Sequence, residues 1–529
     1  MTQWDYVIIG AGSAGCVLAY RLSEDPANKV LLLEAGPEDS SPWIHMPKGV
    51  SKLYTDPRHI WYFRTEADGD TPEEVWIRGK MLGGSSSVNG MMYFRGQPED
   101  YDGWEAVGAR GWNWSTMGRA FREMESHELG DDGIRGGSGP LAIQIAPDRT
   151  PLTEAFIRAG EQMGLSRVPD LNHLRQEGVG YAPRTIRRGR RMSAAAAFLK
   201  PARKRSNLTV MTGVTVDRLL MDGLCVTGVA AVGDGSERRF EGREVILCAG
   251  ALMSPQILMR SGIGPADDLR AAGVEIVRES PGVGKHMLEH RLLMMEYGLS
   301  RRYSQNREYR GWRLVRNALR YQLQGKGPLA AGAYDVGAFA RVMPDAQTPD
   351  VEVLMAPYLV GRDAKGNMLP DARETIHLFG YPLRSLSEGS LTITGPQPSA
   401  PARIRPGYLT DPYDRAITVA MYRYIRRWME QPALADMVTG QLEPGRSLQT
   451  DDEIIAAFKV RGNAGYHACS TCRMGGFNDA VVDENARVRG VGGLRVVDAS
   501  ILPAMVSSNT NGPVMATAWR AADLILGRG

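Results

Sequence analysis

Three glycines near the amino terminus, Gly10, Gly12 and Gly15, stand at G-x-G-x-x-G spacing, and a carboxylate, Glu34, follows 24 residues after the first. These residue types in this order suit one task, the holding of a dinucleotide. Gly10 permits a tight turn, Gly12 lets a pyrophosphate approach the backbone, and Gly15 lets a helix pack closely on a strand. A helix opening at such a turn offers free N–H groups and a partial positive charge to phosphates. Glu34 can accept ribose hydroxyls. Its charge would repel a 2′-phosphate, which argues against NADP and leaves FAD and NAD both open.

Other reactive residue types are more ambiguous. Cys469-Ser-Thr-Cys472 has C-x-x-C spacing, but no second pair accompanies it, so no metal site is expected. Five cysteines (Cys16, Cys225, Cys248, Cys469 and Cys472) are an odd count spread thinly, which fits a reducing compartment better than a disulfide scaffold. Arg187-Arg-Gly-Arg-Arg191 reads as a solvated turn, with attraction of an anionic substrate as the alternative. Arg301 to Arg320 holds seven arginines interleaved with Trp312, Leu314, Val315 and Leu319. It reads as a surface helix, with docking on a membrane surface near a quinone as the alternative.

The elements that position the fingerprint surround it. Tyr6-Val-Ile-Ile9 and Val30-Leu-Leu-Leu33 read as buried parallel strands, and Cys16 to Leu22 between them has helical spacing. This βαβ unit implies an α/β Rossmann-type domain, an open sheet with helices on both faces. Arg78 to Gly96, rich in Gly and Ser, reads as a loop covering something. Leu208–Val210, Val226–Ala230 and Val245–Leu247 give β signals. Residues 299–465, with segments such as Val351–Leu354 and Ser390–Thr394, read as an antiparallel sheet with helices. Leu494–Val497 and a helix from Pro513 return to the first pattern. The expected organisation is a dinucleotide domain over 1–298, a substrate domain over 299–465, and a return to the first domain over 466–529, α+β overall.

A chain of 529 residues suits two domains, and its 43% hydrophobic and 23% charged residues are those of a globular protein. A net charge of +3 gives no case for a nucleic-acid partner. The start, Met1-Thr-Gln-Trp-Asp5, runs straight into a strand without the pattern of a signal peptide. No run of about 18 apolar residues suggests a membrane span. A cytoplasmic protein is expected, with peripheral contact at the inner membrane as the alternative.

Three longer segments resemble signatures of the glucose–methanol–choline (GMC) oxidoreductase family: Arg78-Gly-Lys-Met-Leu-Gly-Gly-Ser-Ser-Ser-Val-Asn-Gly-Met-Met-Tyr-Phe-Arg-Gly96; Gly250-Ala-Leu-Met-Ser-Pro-Gln-Ile-Leu-Met-Arg-Ser-Gly-Ile-Gly264; and the pair Gly465–Gly475 and Val496–Pro503, with Asn509-Thr-Asn-Gly-Pro513 after it. The resemblance implies FAD as cofactor. The residues expected around it are Gly10, Gly12, Ser13, Ala14, Gly15, Glu34 and Ala35, then Trp61, Arg78, Gly83, Gly84, Ser85, Asn89, Gly90, Met91, Met92 and Val216, and finally Tyr466, Asp498, Ala499, Gly512, Pro513 and Val514. Relatives with covalent flavin carry a histidine just before the motif asparagine. Val88 stands there in this chain, so non-covalent FAD is expected.

The resemblance also assigns a catalytic pair. His467 matches the family's histidine base, a role that suits an imidazole with an ordinary pKa of about 6.5. Asn511 is matched to the second catalytic position, held by His or Asn. In Gly282-Val-Gly-Lys-His-Met-Leu-Glu-His290, His286 and Glu289 depart from the family's usual version, which bears on local packing more than on chemistry. The reaction implied is oxidation of a primary alcohol to an aldehyde, by proton abstraction and hydride transfer to flavin N5, with electrons passed to a quinone or redox protein. An oxidase that passes electrons to O₂ and makes peroxide is the alternative; a hydroxynitrile lyase is a remoter one. Tyr334, Phe339, Tyr358 and Phe379 are candidates for an apolar substrate pocket, and no carboxylate with an aromatic cage for choline can be placed.

Overall fold

A computed structural model describes residues 3–233, 235–362, 368–445 and 448–528; Met1 and Thr2 of the amino-terminal segment lie outside the described residues. Two seven-stranded sheets organise the chain. In the first, five strands run parallel in the order Leu208–Met211, Val30–Leu33, Trp4–Ile9, Ser236–Leu247 and Leu494–Val496. Ser236–Leu247 has a second use: its first half pairs antiparallel with Cys225–Gly233, which pairs in turn with Val214–Asp222. The central strands are continuous apolar runs because a parallel sheet is covered on both faces. Val7, Ile8 and Val30 to Leu32 are wholly enclosed. The fingerprint helix Ser13–Leu22 packs against the carboxy-terminal helix Asn511–Ile525. The first sheet thus draws on the beginning, middle and end of the chain.

The second sheet is antiparallel, in the order Val438–Glu443, Arg291–Leu299, Thr375–Pro382, Val351–Ala356, Val336–Ala340 and Gly178–Tyr181, with Asn463–Ala464 beside the start of Arg291–Leu299. This corrects the boundary expected at 298. Gly178–Tyr181 and Arg291–Leu299 both belong to the second sheet. Gly-Val-Gly-Tyr carries little strand signal, since glycine weakens a strand, but here the missing side chain makes room for backbone. A Cβ on Gly180 would lie 2.4 Å from the Val168 carbonyl oxygen. Ser390–Ile393 is not part of this sheet and forms a separate ribbon with Ala402–Arg405. Helix Pro412–Met429 covers one face, close enough that a Cβ on Gly380 would meet Ile425 at 2.5 Å. Among the described residues no helix is long and apolar enough to cross a membrane.

Candidate active site

A cleft of about 1410 Å³ is lined by residues of both sheets. One end is the fingerprint turn. Gly10 takes a φ of 96°, and a Cβ there would lie 2.6 Å from the Cys248 carbonyl oxygen. Gly12 caps the following helix with no side-chain bond, so first-turn N–H groups near Ser13 and Ala14 stay available to an anion. Gly15 does not reach the cleft. A Cβ there would lie 1.9 Å from the Gly10 carbonyl oxygen, so its role is helix-on-strand packing. Glu34 is pinned at the wall: Ala11 N–H donates to Oε2 at 2.8 Å and Gly36 N–H to Oε1 at 2.9 Å. Burial pushes its carboxyl up to about 7 despite these bonds. Ala35 and Val216 complete this end.

The glycine- and serine-rich segment lies directly on the fingerprint. Gly83 and Gly84 have φ of 87° and 51°, Gly83 N–H donates to the Ala11 carbonyl at 2.7 Å, and a Cβ on Gly84 would lie 2.7 Å from Gly12 Cα. Ser85, Asn89, Gly90, Met91 and Met92 line the cleft, while Gly83 supports from behind. Arg191 clamps this segment. Its guanidinium donates to Asn89 Oδ1 at 2.9 Å and to the carbonyls of Asn89, Ser86 and Ile44. The basic cluster therefore divides: Arg187, Arg188 and Arg190 are exposed, whereas Arg191 is buried. Reading it as one solvated turn missed that last residue.

Trp61 and Arg78 are cross-strand neighbours on a ribbon that edges the cleft. Ala499 and Val514 line it too. The Asp498 side chain is otherwise occupied, accepting from Gly250 N–H at 2.8 Å, Ser254 Oγ at 2.6 Å and Ser500 N–H at 2.8 Å. Gly512 and Pro513 are buried behind the wall, and a Cβ on Gly512 would lie 2.7 Å from the Phe94 carbonyl oxygen. The close backbone packing that Gly10 and Gly84 permit around the fingerprint turn, the uncapped helix end and the Glu34 carboxyl together fit FAD.

His467 stands farther along the cleft, between two ring partners. Segments 288–290 and 465–469 run antiparallel: Gly465 N–H donates to the His290 carbonyl at 2.7 Å and Cys469 N–H to the Leu288 carbonyl at 3.0 Å. Glu289 Oε1 accepts the backbone N–H groups of His467 at 2.6 Å and His290 at 2.9 Å, while Oε2 sits 3.8 Å from Arg78. Tyr466 takes a left-handed φ of 62°, a conformation costly for an aromatic residue, immediately before the histidine. Its ring lies 5.6 Å from the Arg78 guanidinium carbon.

The protons in this cluster follow from its bonds. His290 Nε2 lies 2.9 Å from the Leu383 carbonyl oxygen, which can only accept, so Nε2 carries the hydrogen. Burial holds the His290 pKa down at about 4, so its ring is neutral and Nδ1 is a bare acceptor. His467 Nδ1 lies 2.9 Å from that atom and must donate to it. Burial first, then the neighbouring His290 and Arg78, push the His467 pKa well below the ordinary value. Neutral His467 therefore presents a bare Nε2. Asn509 Nδ2 lies 3.1 Å from Nε2 and donates to it. Tyr381 stacks on His290 at 4.6 Å between centroids.

This geometry corrects the expected partner. Asn511 is the first residue of the terminal helix, and its Oδ1 accepts from Ser13 Oγ at 2.7 Å. Asn509, in the loop before the helix, meets His467. Sequence reasoning also missed His290 and placed Glu289 outside the chemistry, although both position the histidine. His286 does belong to local packing, bonded to Glu388 and Asp479 at 2.6 Å each. Of the four candidate pocket aromatics, Tyr334, Tyr358 and Phe379 line the cleft. Phe339 is buried elsewhere, edge-on to Phe94 at 5.1 Å.

Two profiles described as GMC oxidoreductase match residues 4–292 and 385–518. The mitochondrial choline dehydrogenase of Homo sapiens is 40% identical over 99% of this chain and 90% of its own. An "Alcohol dehydrogenase [acceptor]" of Pseudomonas putida is 35% identical over 99% and 96%. Among solved structures, a pyridoxine 4-oxidase from "Mesorbium loti" superposes with a TM-score of 0.89 at 34% identity, covering 98% of each chain. The chain belongs to the GMC oxidoreductase family. It is an FAD-dependent enzyme acting on CH–OH donors.

Proposed function

We propose that the chain oxidises an uncharged primary alcohol to its aldehyde and passes the electrons to an acceptor other than O₂. The observation carrying this reading is the bare Nε2 of His467 with the Asn509 amide beside it. The alcohol displaces the Asn509–His467 hydrogen bond: its hydroxyl donates to Nε2 in place of the amide, and Asn509 Nδ2 donates instead to the alcohol oxygen as negative charge develops there. FAD, when bound, supplies the two-electron acceptor for the carbon. Tyr381, Phe379 and His377 alternate along one strand and present an apolar wall to the substrate side.

Charge on that wall separates an uncharged alcohol from choline. Among the described residues, the carboxylates lining the cleft are Glu34 and Asp498, both at the dinucleotide end. The face of the Tyr358 ring is taken by the chain's own Lys48 amine, 3.7 Å from the centroid and donating to the Gly332 carbonyl at 2.5 Å. Glu352, the nearest acid behind Tyr381, accepts from the tyrosine hydroxyl at 2.6 Å, and burial pushes its carboxyl up to about 8, so it is neutral at pH 7. Among the described residues a quaternary ammonium finds no counter-charge on that wall.

Anaerobic titration of the holoenzyme with a panel of alcohols tests this reading. Aryl and aliphatic primary alcohols should bleach the flavin and choline should not. Rapid bleaching by choline would overturn the substrate class, and persistent colour with every alcohol would favour a lyase. Peroxide formed under air in step with aldehyde would make the enzyme an oxidase.

Val88, buried at the cleft wall before Asn89, has no nucleophile for a flavin bond. Acid precipitation should leave FAD in the supernatant. Flavin remaining with the pellet would contradict non-covalent binding.

A further inference from the structure

Helix Gly311–Gln324 contains no acidic residue, and among its residues only Asn317 is buried. Trp312, Val315, Leu319 and Leu323 recur at spacings of three and four and so form one stripe. That stripe faces outward, with the four side chains 67%, 61%, 59% and 80% exposed. Large apolar residues clustered this way mark an interaction site. Cations surround them. Arg316 and Arg320 lie on the same helix, and the Arg313 and Arg316 guanidinium carbons sit 5.5 and 5.2 Å from the Trp312 ring. A single carboxylate, Glu308, is shared by Arg307, Arg313 and Arg316.

A second basic element meets the end of this helix. The hairpin Ile186–Arg187 and Arg190–Arg191 turns at Gly189, where a Cβ would lie 1.9 Å from the carbonyl oxygen of Gly325, the residue capping the helix. Its exposed Arg187, Arg188 and Arg190 have no ion pair among the described residues. Two basic stretches far apart in sequence thus converge on one apolar stripe.

We propose that this helix and hairpin dock the enzyme on an anionic phospholipid surface. The stripe enters the boundary between headgroups and acyl chains, with Trp312 at headgroup depth, and the arginines meet lipid phosphates. A second copy of the chain fits less well. Matching this face to itself would bury the stripe but set arginine against arginine. Just past the helix, residues 325–332 lead to Ala333 and Tyr334 of the cleft wall, so the docked face borders the substrate side.

Sedimentation of the holoenzyme with vesicles tests the proposal. Vesicles in which phosphatidylglycerol replaces part of the phosphatidylcholine should bind about tenfold more tightly, or better, than phosphatidylcholine alone, and salt should weaken that binding. Leu319→Glu with Leu323→Glu, at exposed positions, should abolish it while leaving anaerobic flavin reduction by a water-soluble alcohol unchanged. Equal binding by the double variant, or no preference for the anionic vesicles, would overturn the proposal. So would a dimer in solution that the same variant dissociates, which would assign the face to a second copy.

Discussion

Replacing His467 with alanine should lower turnover by about 10²–10⁴-fold while the purified protein keeps its FAD. The argument starts from the proton inventory. The hydroxyl proton of the substrate needs an acceptor at the moment the carbon gives up its electrons, and Nε2 of His467 carries no hydrogen and lines the cleft, its lone pair engaged by the Asn509 amide until the alcohol displaces it. The depressed pKa keeps that lone pair unprotonated at neutral pH, and activity should fall only on acidification below the ordinary histidine range, as the base form is lost. Asn509→Ala should cost about 10²–10³-fold, because it removes a donor to the developing oxyanion. Asn511→Ala should be far milder in turnover, since that amide is engaged with Ser13. Rapid reaction of flavin with alcohol in a single-turnover experiment separates these effects from any on reoxidation. A His467→Ala enzyme turning over within tenfold of the parent would remove the histidine from the role of base.

The contrast between the two asparagines shows how far residue types carry an argument. Asn509 and Asn511 are identical, two positions apart, and nothing in their composition separates them. What separates them is the helix start: it begins at Asn511, two residues before Pro513, and turns that side chain toward the fingerprint helix. The opening βαβ unit was legible because strands enclosed on both faces must be unbroken apolar runs, as Tyr6–Ile9 and Val30–Leu33 are. Gly178–Tyr181 was not, because its place in the second sheet depends on pairing with Val336–Ala340, and a glycine-rich quartet carries no strand signal of its own. Arg191 looked like its exposed neighbours, since the turn that buries one arginine and exposes three is a tertiary event. Glu289 and His290 escaped for the same reason. Their meaning comes from an antiparallel pairing with a segment about 175 residues away, and local pattern has no access to it.

His290→Phe should lower turnover by at least about 10²-fold with little change in KM, because it removes the acceptor that fixes the His467 tautomer. Phenylalanine preserves the stack on Tyr381 but offers nothing to the Nδ1 hydrogen. Without that acceptor the imidazole can move its hydrogen to Nε2, the atom facing the alcohol, and in that form it cannot take the substrate's proton. The pH profile should change as well. Nδ1–H of His467 meets a neutral acceptor at His290, and losing that acceptor should shift the acid limb of the turnover profile. His290→Gln supplies the discriminating comparison, since a carboxamide oxygen can accept from Nδ1–H in place of the imidazole. If His290 acts through the tautomer, Gln should recover a large part of the rate that Phe loses and return the acid limb toward its original position. If it merely fills space, Phe and Gln should be impaired alike with unmoved profiles, and the positioning role would fall.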